Sequence, residues 1–172
     1  GNNYFSARKN LDKALEIAKK INNKSIEGII YTKTAKVQFL MNEEDQAFLS
    51  ISNAIQIQRE IDDYGNRAVS YNIKGVFLST KEDYAAALEY FISAKSLFEQ
   101  EGLEEHISEV TLNEAKVYIA QERYPEAKKE LEKTIILASK YEQKRTLSSA
   151  LIQSAKVSCA LNQSKEALSQ AE

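Results

Sequence analysis

Three lysines of this 172-residue chain stand at matching places. Lys36, Lys116 and Lys156 each follow an alanine in the tripeptide Ala-Lys-Val, at Ala35, Ala115 and Ala155. None has Asp or Glu three or four residues away, so an intrahelical ion pair does not account for them. Ammonium groups repeated along one surface could receive the carboxylates of a partner segment. The same row could also be only solvated. Two such charges about 10 Å apart in water repel by only about 0.4 kcal/mol, and salt screening over about 8 Å lowers this further.

Little else in the chain has the makings of chemistry. His106 is the single histidine and stands among Glu104, Glu105 and Glu109, where a solvated surface residue is expected. Cys159 is the single cysteine, which excludes an internal disulfide framework and a multi-cysteine zinc site. Its default reading is a buried, inert thiol, since reactivity needs exposure and a lowered pKa. Glu43-Glu44-Asp45, Asp62-Asp63 and Glu101 with Glu104 and Glu105 fall at helix boundaries, where carboxylates cap free N–H groups and meet the helix dipole. No calcium-loop spacing, glycine-rich phosphate loop or nucleophile elbow occurs. The sequence thus offers no catalytic residue, no metal site and no cofactor site. The net charge of −2 speaks against a nucleic-acid surface. No apolar run approaches the roughly 18 residues that would span a bilayer.

The elements that carry the lysines are helices. The chain has only five glycines and one proline, too few for the turns of a sheet protein of this size, and Asn-Gly pairs are absent. Ala, Leu, Lys, Glu and Gln favour helix. Self-similarity is pronounced. Small residues recur in steps of 40 at Ala35, Gly75, Ala115 and Ala155, and again at Ala7, Ala47, Ala87, Ala127 and Ala167. Tyr4, Tyr84 and Tyr124 each stand three residues before an alanine of the second series. Each unit reads as two helices. The first runs over Ser25–Met41, Tyr64–Thr80, Leu103–Gln121 and Lys144–Leu161. The second runs over Glu44–Ile61, Tyr84–Gln100, Pro125–Lys140 and from Ser164 onward. Asn22-Asn23, Asp62-Asp63 and Gly102 punctuate the units, and Pro125 suits a helix start. Two helices crossing at about 8–10 Å require small side chains at the crossing, with bulky residues such as Tyr84, Phe91 and Leu131 beside it.

The run Tyr71, Gly75, Tyr84, Ala87, Phe91 and Ala94, followed by Ala115, Tyr118, Tyr124, Pro125, Ala127 and Leu131, resembles the tetratricopeptide repeat family over essentially the whole chain. The period is 40 rather than the common 34, and Gln38, Ser158 and Ser164 stand where aromatics are usual. The longer period is similar to that of repeat domains in bacterial signalling proteins: sensor histidine kinases, response regulators and peptide-sensing regulators. The resemblance implies an all-α, right-handed superhelical solenoid of antiparallel helix pairs. Its parts are residues 1–22, the second helix of a truncated repeat; 23–62, 63–102 and 103–142, full repeats; and 143–172, truncated in its second helix. It also implies that the first helix of each unit lines a concave groove. The groove positions are then Thr32, Lys36 and Phe39; Asn72, Val76 and Ser79; Leu112, Lys116 and Ile119; and Ile152 and Lys156, with Cys159 toward the same surface. A protein or peptide segment is the expected partner, with no nucleic-acid or membrane contact by this segment. The absence of polar capping repeats leads to the expectation of an excised piece that self-associates through uncapped ends.

Overall fold

The computed structural model describes the backbone of residues 2–171 and the side chains of residues 3–162. Every regular element among them is helical: α1 (Asn2–Lys20), α2 (Lys24–Leu40), α3 (Glu44–Glu60), α4 (Tyr64–Thr80), α5 (Tyr84–Gln100), α6 (Ile107–Ala120), α7 (Tyr124–Lys140) and α8 (Lys144–Ala171). They form two compact units, Gly1–Leu97 and Phe98–Glu172, with α5 running across the boundary. Within each unit consecutive helices pack on one another. The first-type helices also touch, α2 with α4 in one unit and α6 with α8 in the other.

The helices end by one device. Residues 22, 42, 62, 82, 102, 122 and 142 all have positive φ, one every 20 positions. At each, the left-handed residue donates its N–H three residues back, and the next residue donates five back. Examples are Asn22 to Lys19 and Asn23 to Ala18, or Glu122 to Ile119 and Arg123 to Tyr118. These bonds satisfy carbonyls the helix end leaves unpaired. At three of these turns the residue that closes one helix also caps the next with its side chain. Asn23 accepts from the Ile26 N–H at 3.0 Å, Asp63 from Asn66 at 3.1 Å and Asp83 from Ala86 at 3.3 Å. Only Gly102 among the seven is glycine; the others are Asn, Asp or Glu. The acidic pairs read as caps therefore divide their labour: Asp62 takes the left-handed turn and Asp63 the cap.

Two helix expectations need correction. The helix expected from Leu103 begins at Ile107, because a short 3-10 turn over Glu104–His106 intervenes. The break expected between Leu161 and Ser164 is not formed, and α8 continues to Ala171. Asn162 stands at the next step of the turn series, yet its φ stays negative. At the other turns a following helix packs back on its predecessor and offsets the cost of bending; no described side chain does so for α8.

The small residues sit where the crossing argument needs them. Ala35, Ala47, Ala87, Ala115 and Ala127 have no exposed surface, and Gly75 is buried. A Cβ on Gly75 would lie 2.5 Å from Cε1 of Phe91, closer than any real contact. The position of Phe91 is held one repeat earlier by Ile51 and one repeat later by Leu131. These pack in the same clusters as Ala35 and Ala115 respectively. The phenyl ring is thus accommodated by losing the methyl opposite it. Ala155 departs from the expectation: it is exposed. Ala167 lies outside the described side chains.

Candidate functional site

The three matching lysines are all exposed. None is in an ion pair among the described residues. Lys116 reaches only the Asn113 side-chain carbonyl, at 3.5 Å. Lys116 and Lys156 lie on touching helices of one unit, and Lys36 lies on α2 of the other.

The neighbouring positions divide. Val76, Ser79 and Ile119 are half-buried and Ile152 is 55% exposed, so these have surface to offer. Thr32, Asn72 and Leu112 are buried and cannot line an open groove. Thr32 instead anchors a buried polar network. Its hydroxyl donates to the Gly28 carbonyl at 3.0 Å, accepts from Gln58 Nε2 at 3.2 Å, and lies 2.8 Å from Ser70 Oγ. Phe39 is half-buried against the core, stacked on Phe77 with ring centroids 4.1 Å apart. Helix α2 is wedged between α3 and α4, and α6 between α7 and α8, so their groove-facing stripes are narrower than the resemblance implies.

Cys159 is exposed, against the expectation of a buried thiol. His106 is exposed as expected, with its ring stacked on buried Phe98 at 5.1 Å. No group of three metal-ligating side chains occurs among the described residues. No described helix is long and apolar enough to cross a membrane.

Charged side chains also tie helices together. Glu44 pairs with Lys81 in the first unit. In the second, Glu104 accepts from Lys140 at 2.9 Å and from the Tyr141 hydroxyl at 2.8 Å. These two hydrogen bonds hold the Glu104 carboxyl below its ordinary pKa, and the same contact raises Lys140.

A second cationic group escapes the sequence reading. Arg59 ends α3, Tyr71 and Lys74 lie one turn apart on α4, and Tyr90 lies on α5, all in the first unit. Tyr71 and Tyr90 meet edge to face at 5.5 Å, and Lys74 Nζ stands 4.9 Å from the Tyr90 ring centre. Arg59 interacts with the Tyr71 hydroxyl, which raises its pKa. Arg59, Lys74 and Tyr90 border a surface cavity of about 460 Å³. The missed signal was a failure of repetition. Forty residues on, the equivalents of Arg59, Tyr71, Lys74 and Tyr90 are Glu99, Thr111, Glu114 and Glu130.

Comparison with curated proteins gives no match. Among solved structures, the chain is similar to a putative kinesin light chain with nearly identical tetratricopeptide-like repeats from Podosopora anserina. The identity is 16%, the TM-score 0.71, and the match covers 96% of this chain and 82% of that one. That likeness establishes the fold as a tetratricopeptide-type helical solenoid, the architecture the phased small residues called for. The model of the soluble NSF attachment protein family, SNAP, matches residues 1–152, and the chain belongs to that family.

Proposed function

We propose that this chain is a non-catalytic scaffold that binds a protein or peptide segment, and that it serves as a sensory or interaction module of a larger bacterial regulatory protein. Repeat folds of this type mediate protein–protein interaction in general, and the family is named for the attachment of one protein to another. One observation carries the reading: Lys36, Lys116 and Lys156 occupy the same place in three units, are exposed, and have no carboxylate partner among the described residues. Exposed lysines gain little from such regularity in stability terms. A partner with spaced carboxylates would gain from it. The 40-residue period supports the regulatory context by its similarity to signalling repeat domains. The test is a paired pull-down from source-cell lysate with the native chain and with K36E/K116E/K156E, circular dichroism confirming equal helicity. Loss of one retained partner in the variant supports the reading. Equal retention, or none by either, rejects the lysine row.

A second reading is a spacer or dimerisation arm, and it rests on α8. Ser148, Ile152 and Ala155 are exposed there. Their equivalents one repeat earlier, Ser108, Leu112 and Ala115, are buried, as are those in α2 and α4. A second copy could supply a covering helix through its α1, whose Ala7 belongs to the same series as Ala47, Ala87 and Ala127. The α1 surface carries Asp12 and Glu16 beside Lys9 and Lys13, and Arg8 is paired with Glu43, so this association should depend little on salt. Sedimentation at two salt concentrations, with native chain and A155R, separates the readings. A mass that stays monomeric throughout removes the second.

A further inference from the structure

We infer that Arg59, Lys74 and Tyr90, with Tyr71 packed against Tyr90, form a pocket that recognises a carboxylate on an acidic side chain of the bound segment. This rests on the protein-binding reading above, and it places a specific contact away from the lysine row.

Neither Arg59 nor Lys74 is paired with a carboxylate among the described residues. The one acid at the rim, Glu60, is engaged by Gln56 at 3.0 Å. Lys74 is placed by an aromatic ring: it lies over Tyr90, which Tyr71 braces edge to face. Contacts of this kind hold a long side chain without consuming its charge. The guanidinium fork suits a planar carboxylate, which it can bind through two parallel hydrogen bonds. The cavity of about 460 Å³ lies within the range of small-ligand sites and takes a side chain with its flanking backbone. Ser52 and Gln56 add polar groups at the wall, and Ile55 an apolar one.

Charge selects the ligand. Two cations and Glu60 leave the pocket with a net single positive charge, matched to a carboxylate and less to a phosphate dianion.

The neighbouring repeats show the set to be particular to this place. One repeat earlier only half is present: Lys19 stands 5.8 Å from the Tyr31 ring, but Thr34 and Ser50 replace Lys74 and Tyr90. One repeat later the charge is reversed by Glu99, Glu114 and Glu130.

The experiment is a titration of the ¹⁵N-labelled chain with N-acetylglutamate N-methylamide, its glutamine counterpart and inorganic phosphate, followed by NMR. The glutamate probe should shift the amides around Arg59, Lys74 and Tyr90 and the Arg59 Nε–H, with a millimolar Kd, and the glutamine probe should not. R59Q should weaken binding about tenfold, the loss of one charge-assisted hydrogen-bond pair. Arg59 is exposed, so the variant should keep its fold, and K74M provides a second. K36E/K116E/K156E should leave this binding unchanged, which separates failure of the pocket from failure of the lysine row. Equal shifts by both amide probes, shifts spread over all basic surfaces, or tighter binding of phosphate would each overturn the assignment.

Discussion

Helices α6 and α8 occupy the same place in successive repeats of one unit, yet they have opposite surroundings. Leu112 and Ala115 of α6 are buried, while Ile152 and Ala155, their equivalents in α8, are exposed. The local sequences are alike, down to the shared Ala-Lys-Val. Burial in a repeat protein is therefore a property of the neighbour as much as of the residue. The α7 helix covers α6, and no described side chain covers the same face of α8.

Truncation breaks this comparison most severely. L112A removes a buried side chain and should cost about 2–5 kcal/mol, whereas I152A should change the stability of the monomer by about 0.5 kcal/mol or less. Chemical denaturation of both variants checks this, and equal effects would show that α8 is covered in solution. G75A adds one methyl against Phe91 and should cost about 1–3 kcal/mol. Combined with F91L, which restores the volume relation of Ala115 and Leu131, most of that loss should disappear. Additive losses in the double mutant would refute the steric account.

Glycine at the turn positions should act with opposite sign in two places. E122G relieves a non-glycine residue of positive φ and should stabilise by about 0.5–1 kcal/mol, read from the thermal midpoint. N162G, at the next-but-one step of the same series but within an unbroken helix, should weaken α8 by about the same amount, read as lost ellipticity. A gain in ellipticity at Asn162 would mean that α8 bends there.

The smallest effect is electrostatic. The Glu104 carboxyl has a lowered pKa when folded, so its contribution is present above the unfolded value of about 4.3 and is lost as pH falls through the folded one. E104Q should lose a small stabilisation at pH 7 and converge with the native chain as pH falls through the folded Glu104 value, which flattens the acid limb. An unchanged acid limb would mean the Lys140 contact does not persist in solution.

The helices, the period and the crossing residues were legible in the sequence because small residues at Ala35, Gly75 and Ala115 have one dominant physical reason. The turn series was only half legible. Asn22, Asp62 and Gly102 were recognised, but Glu82, Glu122 and Glu142 were not, since glutamate has no intrinsic preference for positive φ and adopts it only when two helices packed on either side demand it. The candidate site was less legible still. The resemblance put Thr32 and Leu112 on a groove, but it could not tell a helix's outer stripe from the edge wedged against its neighbour. Arg59 and Tyr90 come from different helices, and no local pattern joins them.

The turns themselves set a rule for change. Because three residues join most successive helices, the exception being the 3-10 stretch before α6, there is little slack between elements. A single inserted residue within α3 would rotate everything that follows it in the helix by about 100° and drive Ile51 or Ile55 off the face they bury. Such a chain cannot drift in length by ones and twos, as a protein with open loops can. It tolerates insertion and loss only in whole steps, so lineages carrying it should differ in the number of repeats far more readily than in the length of any one.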